Sequence, residues 1–447
     1  MKINEIFLLL ILGIFFSVSA FSQSESDFVT DGRGTITAYT GQATSIVIPS
    51  RINGIQVTAI GNRAFSNKGL ISVIIPSSVT SIGEWAFNLN QLTSIILPTG
   101  LKTIGMGAFA GNQLTSVNIP EGITTIELNT FSNNKLTTVI IPNGVTTIGI
   151  RAFGGNQLTS VAIPASVTTI RSDAFANNQL TSVTIPSGVT TIESYVFTRN
   201  KLTTVIIPAG VTTIGRDAFS YNQLTSVTIP NSVTSIGFRA FIENQITSLV
   251  LPDSVTTIEE EAFANNKLVT VILSKNLTTI SDSVFECNQI TSVIIPDSVV
   301  SIGKDAFRSN KLTSVVLSNN VTIIGQGAFA SNQLVSMVIP DSVTTIGNTA
   351  FHDNQLTNVI IGRGVTRITN NVFSSNKLTS IVIPPNVTVI VEFAFFENMI
   401  SRITIGSNVT LNSDYGTPFC GFFERAYNAN GKKAGTYVST NRGWALE

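Results

Sequence analysis

The chain has 447 residues, 12% of them charged, and its 26 Lys and Arg balance 26 Asp and Glu. A surface without net charge excludes a nucleic-acid binder, whose partner's phosphates demand a basic face, and equally a polybasic membrane-surface binder. Thr, Ser and Asn carry the polarity instead, and only two cysteines are present.

In chain order, residues 1–22 read as a secretory signal peptide. Lys2 lies in a short polar start, and residues 6–16 are an apolar run too short to span a bilayer. Val18-Ser19-Ala20 supplies small residues, and cleavage after Ala20 or Ser22 fits equally well. An uncleaved anchor is the alternative. No later segment is long and apolar enough for a transmembrane span, so the mature chain is expected to be secreted or held at the cell surface. Residues 23–42 differ in pattern from the residues C-terminal to them and are read as an N-terminal cap. Thr35-Ile36-Thr37-Ala38-Tyr39 alternates like a strand and stops at Gly41. Asn53-Gly54 marks a bulging turn in the first, atypical unit.

Residues 43–405 repeat. The Phe of the unit stands at Phe65, Phe87, Phe109 and onward to Phe395, always at an interval of 22. A fixed period of this size predicts a solenoid, which overrides the two or three domains that length alone suggests. Residues 180–201, LTSVTIPSGVTTIESYVFTRNK, serve as a ruler. Val183 and Ile185 alternate as the inner face of a short strand, with Leu180 supporting them. Pro186 ends the strand because it cannot donate to a ladder, and Ser187-Gly188 turns the chain. Val189 and Ile192 point inward three apart, which suits a bent or 3₁₀-like segment. Val196-Phe197 then completes the rung in a short helical turn. The expected fold is a leucine-rich-repeat-type solenoid, mostly β, with one parallel strand and a short helical or 3₁₀ turn per repeat. A parallel β-helix is the alternative.

Three columns arise from the period. Asn156, Asn178, Asn200, Asn222 and Asn244 belong to an asparagine column running from Asn90 to Asn398. An amide held at one point of every rung is expected to face inward as a structural ladder that satisfies buried backbone groups. A ligand-binding amide ladder is the sharper alternative. The other two columns alternate with the buried strand residues and so face out. Ser160, Ser182, Thr204, Ser226, Ser248 and Thr270 form a hydroxyl stripe, and Thr184, Ile206, Thr228 and Val250 belong to a β-branched stripe. Counted as 17 strands at the usual spacing, this face would be a sheet of about 80 Å. It is the candidate ligand-binding face, for an extracellular protein or glycan; simple β-propensity is the competing explanation.

Smaller signals remain. Trp85, Tyr195, Tyr221, Phe238, Phe393 and Phe396 are aromatics in otherwise polar turn positions. Lys135, Lys201 and Lys267 recur 66 residues apart, as duplicated three-repeat blocks would. Asp-Ser-Val follows the strand-ending Pro at Ser254, Ser298 and Ser342, where Asp and Ser are ordinary turn formers. Residues 406–447 break the repeat and read as an aromatic hairpin cap, with Asn430-Gly431 as its turn. A sorting or carbohydrate-binding module is the alternative there. Cys287 and Cys420 are six repeats apart, roughly 30 Å at strand spacing, and are expected to be free thiols. His352, the single histidine, is read as an exposed turn residue beside Asp353. No Cys or His spacing suggests zinc, and Glu259-Glu260-Glu261 reads as a solvated patch. No catalytic group, cofactor or metal is therefore expected.

The pattern L-x-x-V/I-x-I-P-x-x-V-x-x-I-G-x-x-A-F-x-x-N resembles the bacterial BspA-like leucine-rich repeats, also called the Treponema-pallidum-type repeat, over residues 43–405. Two features depart from that family. Asn stands three after the Phe where the family often has Cys, and the unit is one residue shorter than is common. The resemblance implies a secreted or surface-exposed protein, in some cases adhesive toward host or neighbouring-cell proteins, without a conserved active site. The Asp-Ser-Val triplet is similar to the O-glycosylation sequon of Bacteroidetes-type bacteria, and only that similarity makes Ser254, Ser298 and Ser342 candidates for O-glycosylation. The expected function is protein or glycan binding through the strand face by a monomer, with no nucleic-acid partner. The alternative is a structural spacer of the cell envelope without a specific ligand.

Overall fold

The computed structural model describes residues 23–412, 415–419 and 422–447. The segment read as a signal peptide and Cys420 lie outside the described residues. The chain forms two compact units, Met1–Ser166 and Val167–Glu447, each a β-solenoid built from the 22-residue rung.

In the second unit, residues 180–201 show how one rung is made. Leu180, Val183, Ile185, Val189, Ile192, Val196 and Phe197 are all buried, and each large aliphatic side chain so buried contributes about 1.5–3 kcal/mol. Ser182–Thr184 pairs in parallel with Thr204–Ile206, Val183 opposite Val205. After Pro186, whose carbonyl accepts the Val189 N–H at 3.0 Å, the chain makes a second strand. Thr191–Ile192 pairs with Thr213–Ile214, which pairs with Ser235–Ile236. A rung therefore holds two strands where one was expected. Two residues suffice for the second because each neighbouring rung presents the same Thr-out, Ile-in dipeptide in register.

The closing turn makes a third kind of cross-rung ladder. Tyr195 and Arg199 sit in the left-handed region, at φ +62° and +54°. The N–H groups of Tyr195, Phe197 and Arg199 donate to the carbonyls of Arg216, Ala218 and Ser220 at 2.8, 2.9 and 3.0 Å. Thr198 N–H closes back on the Tyr195 carbonyl at 3.2 Å, a 3₁₀-type bond. A left-handed non-glycine residue costs about 1–2 kcal/mol. The conformation persists because bonds on both sides of the rung over-determine it. Phe197 itself stacks on Phe175 and Phe219, with centroids 5.8 and 5.7 Å apart.

The outer strands do not merge into one sheet. Ser182–Thr184 with Thr204–Ile206, Ser248–Val250 with Thr270–Ile272 and Ser292–Ile294 with Ser314–Val316 are separate two-stranded ladders, and residues 226–228 join none. The unbroken 17-strand sheet is thus corrected to a row of strand pairs. A three-residue strand ended by proline offers few donors, so the core columns and the turn ladder carry the stack. The first unit repeats the arrangement, with Ser116–Asn118 on Thr138–Ile140 and residues 160–162 outside any ladder.

Each unit ends in non-repetitive structure that completes these ladders. In the first, Phe28–Thr30 and the expected strand Thr35–Tyr39 form an antiparallel hairpin, and Thr35–Tyr39 continues onto Ala59–Ile60. Tyr39 stacks on Phe65 at 5.6 Å, and its N–H donates to the Ala64 carbonyl at 2.8 Å. Asn53-Gly54 joins Arg51–Ile52 to Ile55–Gln56, both turn residues having positive φ as a type I′ turn requires. In the second unit, Phe419 stacks on Phe395 at 4.9 Å. The Phe393 and Phe395 N–H groups donate to the carbonyls of Thr417 and Pro418.

Asn430-Gly431 is not the C-terminal hairpin turn. It closes a helix, Phe423–Ala429, with the Asn430 N–H on the Ala426 carbonyl and Gly431 at φ +67°. Phe423 and Tyr427 lie four apart, so helical spacing places both rings in the core. The hairpin lies further on. Gly435–Thr440 pairs antiparallel with Arg402–Ile405 and with Gly443–Leu446.

Candidate functional site

Two faces of the second unit carry side chains that the core leaves free. On the strand face, Ser182, Thr184, Thr204, Ile206, Ser226, Thr228, Ser248, Val250 and Thr270 are all exposed, and so is Ser160 in the first unit. Of these, Ser160, Ser226 and Thr228 lie where no strand ladder forms. From Val250 onward the β-branched column is wholly aliphatic: Val250, Ile272, Ile294, Val316, Val338, Ile360 and Val382, with Ile294 71% exposed. Thr228 precedes this run and Thr404 comes after it. A cavity of about 820 Å³ opens over its first part, between Val250, Ile272 and Ile294, with Lys275 and Asp297 at its rim. The one charge in these columns, Arg402, is tied to Glu447 by a bidentate pair at 3.0 and 2.5 Å.

The asparagine column is buried from Asn90 to Asn376 and half-buried at Asn398, and its amides bond between rungs. Asn200 Oδ1 accepts the Leu180 N–H at 3.0 Å, and Nδ2 donates to the carbonyls of Phe175 and Phe197 at 3.0 and 3.1 Å. Asn156, Asn222 and Asn244 make the same three bonds with their own neighbours. Asn178 donates to its own Phe175 carbonyl at 3.1 Å. With both Nδ2 hydrogens and Oδ1 bonded to backbone in a buried position, the amide serves as a tie between rungs. The lysines of the 66-residue rhythm also act between rungs. Lys201 and Lys267 each donate to a glutamine one rung earlier, Gln179 and Gln245, at 3.1 Å.

The Asp-Ser-Val serines point into their turns. Ser298 and Ser342 hydroxyls donate to the carbonyls of Leu277 and Val321 at 2.6 and 2.7 Å, and Ser254 Oγ is buried with no partner among the described residues. His352 is not the exposed turn residue expected. It is half-buried, with Nδ1 2.8 Å from Ser374 Oγ. The equivalent positions one rung to either side, Ala330 and Ser374, are buried, so this column of the rung faces inward. Ser374 donates its own proton to the Asn371 carbonyl at 2.9 Å, so this pair is not an activated nucleophile. Among the described residues no three His, Cys, Asp or Glu side chains converge as metal ligands, and no helix is long and apolar enough to cross a membrane. Within Glu259-Glu260-Glu261, Glu259 accepts the Phe238 N–H at 2.7 Å and Glu261 holds Arg239. Partial desolvation and the neighbouring Glu286 push the thiol of the exposed Cys287 up from its ordinary value.

The turn face is harder to read from sequence. Tyr195, Tyr221 and Phe238 stand there as scattered aromatics. The structure gathers them with Arg199, Arg216 and Arg239, a grouping that sequence reasoning missed. Arg199 lies over the Tyr221 ring at 4.8 Å, and Arg216 and Arg239 both lie against Phe238, at 4.4 and 4.8 Å. The available signal is the spacing of 22 between Arg199 and Tyr221 and between Arg216 and Phe238, which places each pair on adjacent rungs.

The BspA type leucine rich repeat region, a model of six copies, matches residues 38–159, 125–245, 212–332 and 300–416. Among solved structures, a leucine-rich repeat protein from Bacteroides ovatus matches 83% of this chain and 94% of its own, at 23% identity and a TM-score of 0.61. A leucine rich cell surface protein from Faecalibacterium prausnitzii matches 94% and 99% at 23% identity, with a TM-score of 0.33. The pneumococcal vaccine antigen PcpA matches 81% and 80% at 16% identity, with a TM-score of 0.39. No curated protein sequence matches. At this identity the Bacteroides ovatus likeness is one of fold, a leucine-rich-repeat solenoid. The repeat match, spanning most of the sequence, establishes more: the chain belongs to the BspA-type leucine-rich-repeat family.

Proposed function

We propose that this is a secreted or cell-surface binding protein that docks an extracellular protein through the strand face of its second unit. The observation that carries the reading is the run from Val250 to Val382, seven consecutive exposed branched aliphatics. At strand spacing seven rungs span about 30 Å. A contiguous apolar stripe rimmed by hydroxyls, here Ser248, Thr270, Ser292 and Ser314, is uncommon on a surface that meets only water. The stripe carries no charge, so it suits a partner that buries apolar surface, and it offers no aromatic ring for a sugar to stack on. The signal-like sequence of residues 1–22 and the family resemblance support export. Any glycan on Ser254, Ser298 or Ser342 would have to be added before the turns close. An intact mass of the native protein equal to the bare chain excludes that modification.

The test is a binding panel of purified extracellular-matrix and cell-surface proteins, probed with the wild type and with Ile272→Asp/Ile294→Asp. The reading expects a retained protein whose binding falls at least about tenfold in the variant, the loss of roughly one apolar anchor. Binding should change little between low and moderate salt, because the stripe itself is uncharged and the flanking Lys275 is already paired with Asp253. A panel with no retained protein, or retention equal in the variant, favours the spacer reading.

A further inference from the structure

The geometry points to a second site, on the turn face of the second unit, that binds a neutral saccharide. It is independent of the strand face. Each rung contributes two left-handed residues that flank its buried Phe. On adjacent rungs these are Asp173 and Asn177, Tyr195 and Arg199, Asp217 and Tyr221. Together with Arg216 and Arg239 they line a cavity of about 350 Å³, at the small end of ligand pockets of about 300–1,000 Å³. Thr198 also lines it, and its hydroxyl is tied to Ser220 Oγ at 2.6 Å.

Charge decides the class of ligand. Arg199, Arg216 and Arg239 line the cavity with Asp173 and Asp217, and Glu261, outside the lining, pairs with Arg239, so three cations are balanced by three anions. Arg239 is held by Glu261 at 2.8 and 3.0 Å, and Arg216 Nε lies 3.4 Å from Asp217 Oδ2. A strongly anionic ligand would meet Asp173 and Asp217, and a cation would meet the arginines. An apolar ligand would strand every one of these groups. A polyol fits, because each hydroxyl donates once and accepts twice and so can bridge a carboxylate and a guanidinium.

Two features show that the site is organised. The arginines are pre-positioned, since rings hold their planes: Arg199 on Tyr221, and Arg216 and Arg239 on Phe238. Asp217 is buried to 7% exposure, yet among the described residues its carboxylate accepts no hydrogen bond beyond the long Arg216 contact. Since Asp217 lines the cavity, its remaining acceptor capacity opens into it, where a sugar hydroxyl can donate to it. Tyr221, 41% exposed, offers ring surface beside it.

The experiment is an array of neutral oligosaccharides with hexose, N-acetylhexosamine and deoxyhexose ends, alongside sulfated and sialylated ones. It is probed with the full chain, with Asp217→Asn, with Tyr221→Asn and with the strand-face variant Ile272→Asp/Ile294→Asp. The expected result is binding to at least one neutral glycan, weakened about tenfold or more by Tyr221→Asn with an unchanged melting temperature. Asp217→Asn should weaken it comparably, and the strand-face variant should leave it intact. Asn tolerates the left-handed backbone at 221, so that variant reports on binding even if Asp217→Asn misfolds. Retention of anionic glycans alone, of no glycan, or of a neutral glycan indifferent to Tyr221→Asn overturns the proposal.

Discussion

The strand face and the turn face of one rung differ in what holds them. On the strand face, Ser182 and Thr184 are exposed and their backbone joins only one partner strand. On the turn face, the backbone from Tyr195 to Arg199 bonds rung to rung, and Asn200 ties the same corner to the previous rung. Side-chain variety runs with this bonding. The strand face is monotonous, whereas the turn face carries Tyr, Arg, Asp, Thr and Gly in left-handed positions. A backbone fixed by its own ladder tolerates many side chains. In this solenoid, stability and chemical diversity therefore share one edge, while the opposite edge offers apolar area.

The largest effect should come from breaking the turn corner. Asn222→Ala removes the acceptor for the Leu202 N–H and the donor for the Phe197 and Phe219 carbonyls. Unsatisfied buried groups cost about 1–3 kcal/mol each, so a loss of at least about 3 kcal/mol is expected in denaturant unfolding. An unchanged midpoint would show that the ladder is not what binds the rungs.

The C-terminal helix sharpens the contrast through pH. Burial raises the Glu424 pKa above its ordinary value, partly offset by hydrogen bonds from backbone N–H groups, Phe419's among them. The folded state therefore holds the proton more tightly than the unfolded chain. Its contribution to stability is fully present below the unfolded value and is lost as pH rises through the raised folded value. Glu424→Gln should flatten that decline and raise the melting temperature at neutral pH; a variant as pH-dependent as the wild type would rule Glu424 out.

Relief of backbone strain should be smaller. Thr349 is β-branched at φ +57°, and Thr349→Asn should stabilise by about 1 kcal/mol or less. Destabilisation would mean that the Thr side chain outweighs the strain. The smallest change belongs to the strand face. Ile206→Thr, at an exposed strand position, should move stability by no more than about 0.5 kcal/mol. A larger loss would mean that this face is part of the scaffold.

Legibility in the sequence depends on which residues set the geometry. The Phe and Asn columns are readable because a fixed interval of 22 turns sequence directly into neighbours. Outward strand residues are readable from alternation about Val183 and Ile185. The second strand is obscured because Val189 and Ile192, three apart, mimic a bend, and its pairing comes from the next rung's Thr213–Ile214 rather than from local pattern. The left-handed columns leave a partial trace in Asn67, Gly111, Asn133, Gly155 and Asn177, residues that tolerate positive φ. Arg199 and Tyr221 in the same column erase that trace. The turn pocket is illegible for the same reason: its members are scattered turn residues until four rungs bring them together. Asn430-Gly431 misleads because a good hairpin dipeptide is also a good helix end.

Docking of a protein partner on the aliphatic stripe of the strand face is tested most directly by radical footprinting of the complex with the protein retained on the binding panel. Val250, Ile272 and Ile294 should lose reactivity on binding while Tyr195 and Tyr221 keep theirs. Protection confined to the turn face, with Ile272 and Ile294 as reactive as in the free protein, would contradict docking on the stripe.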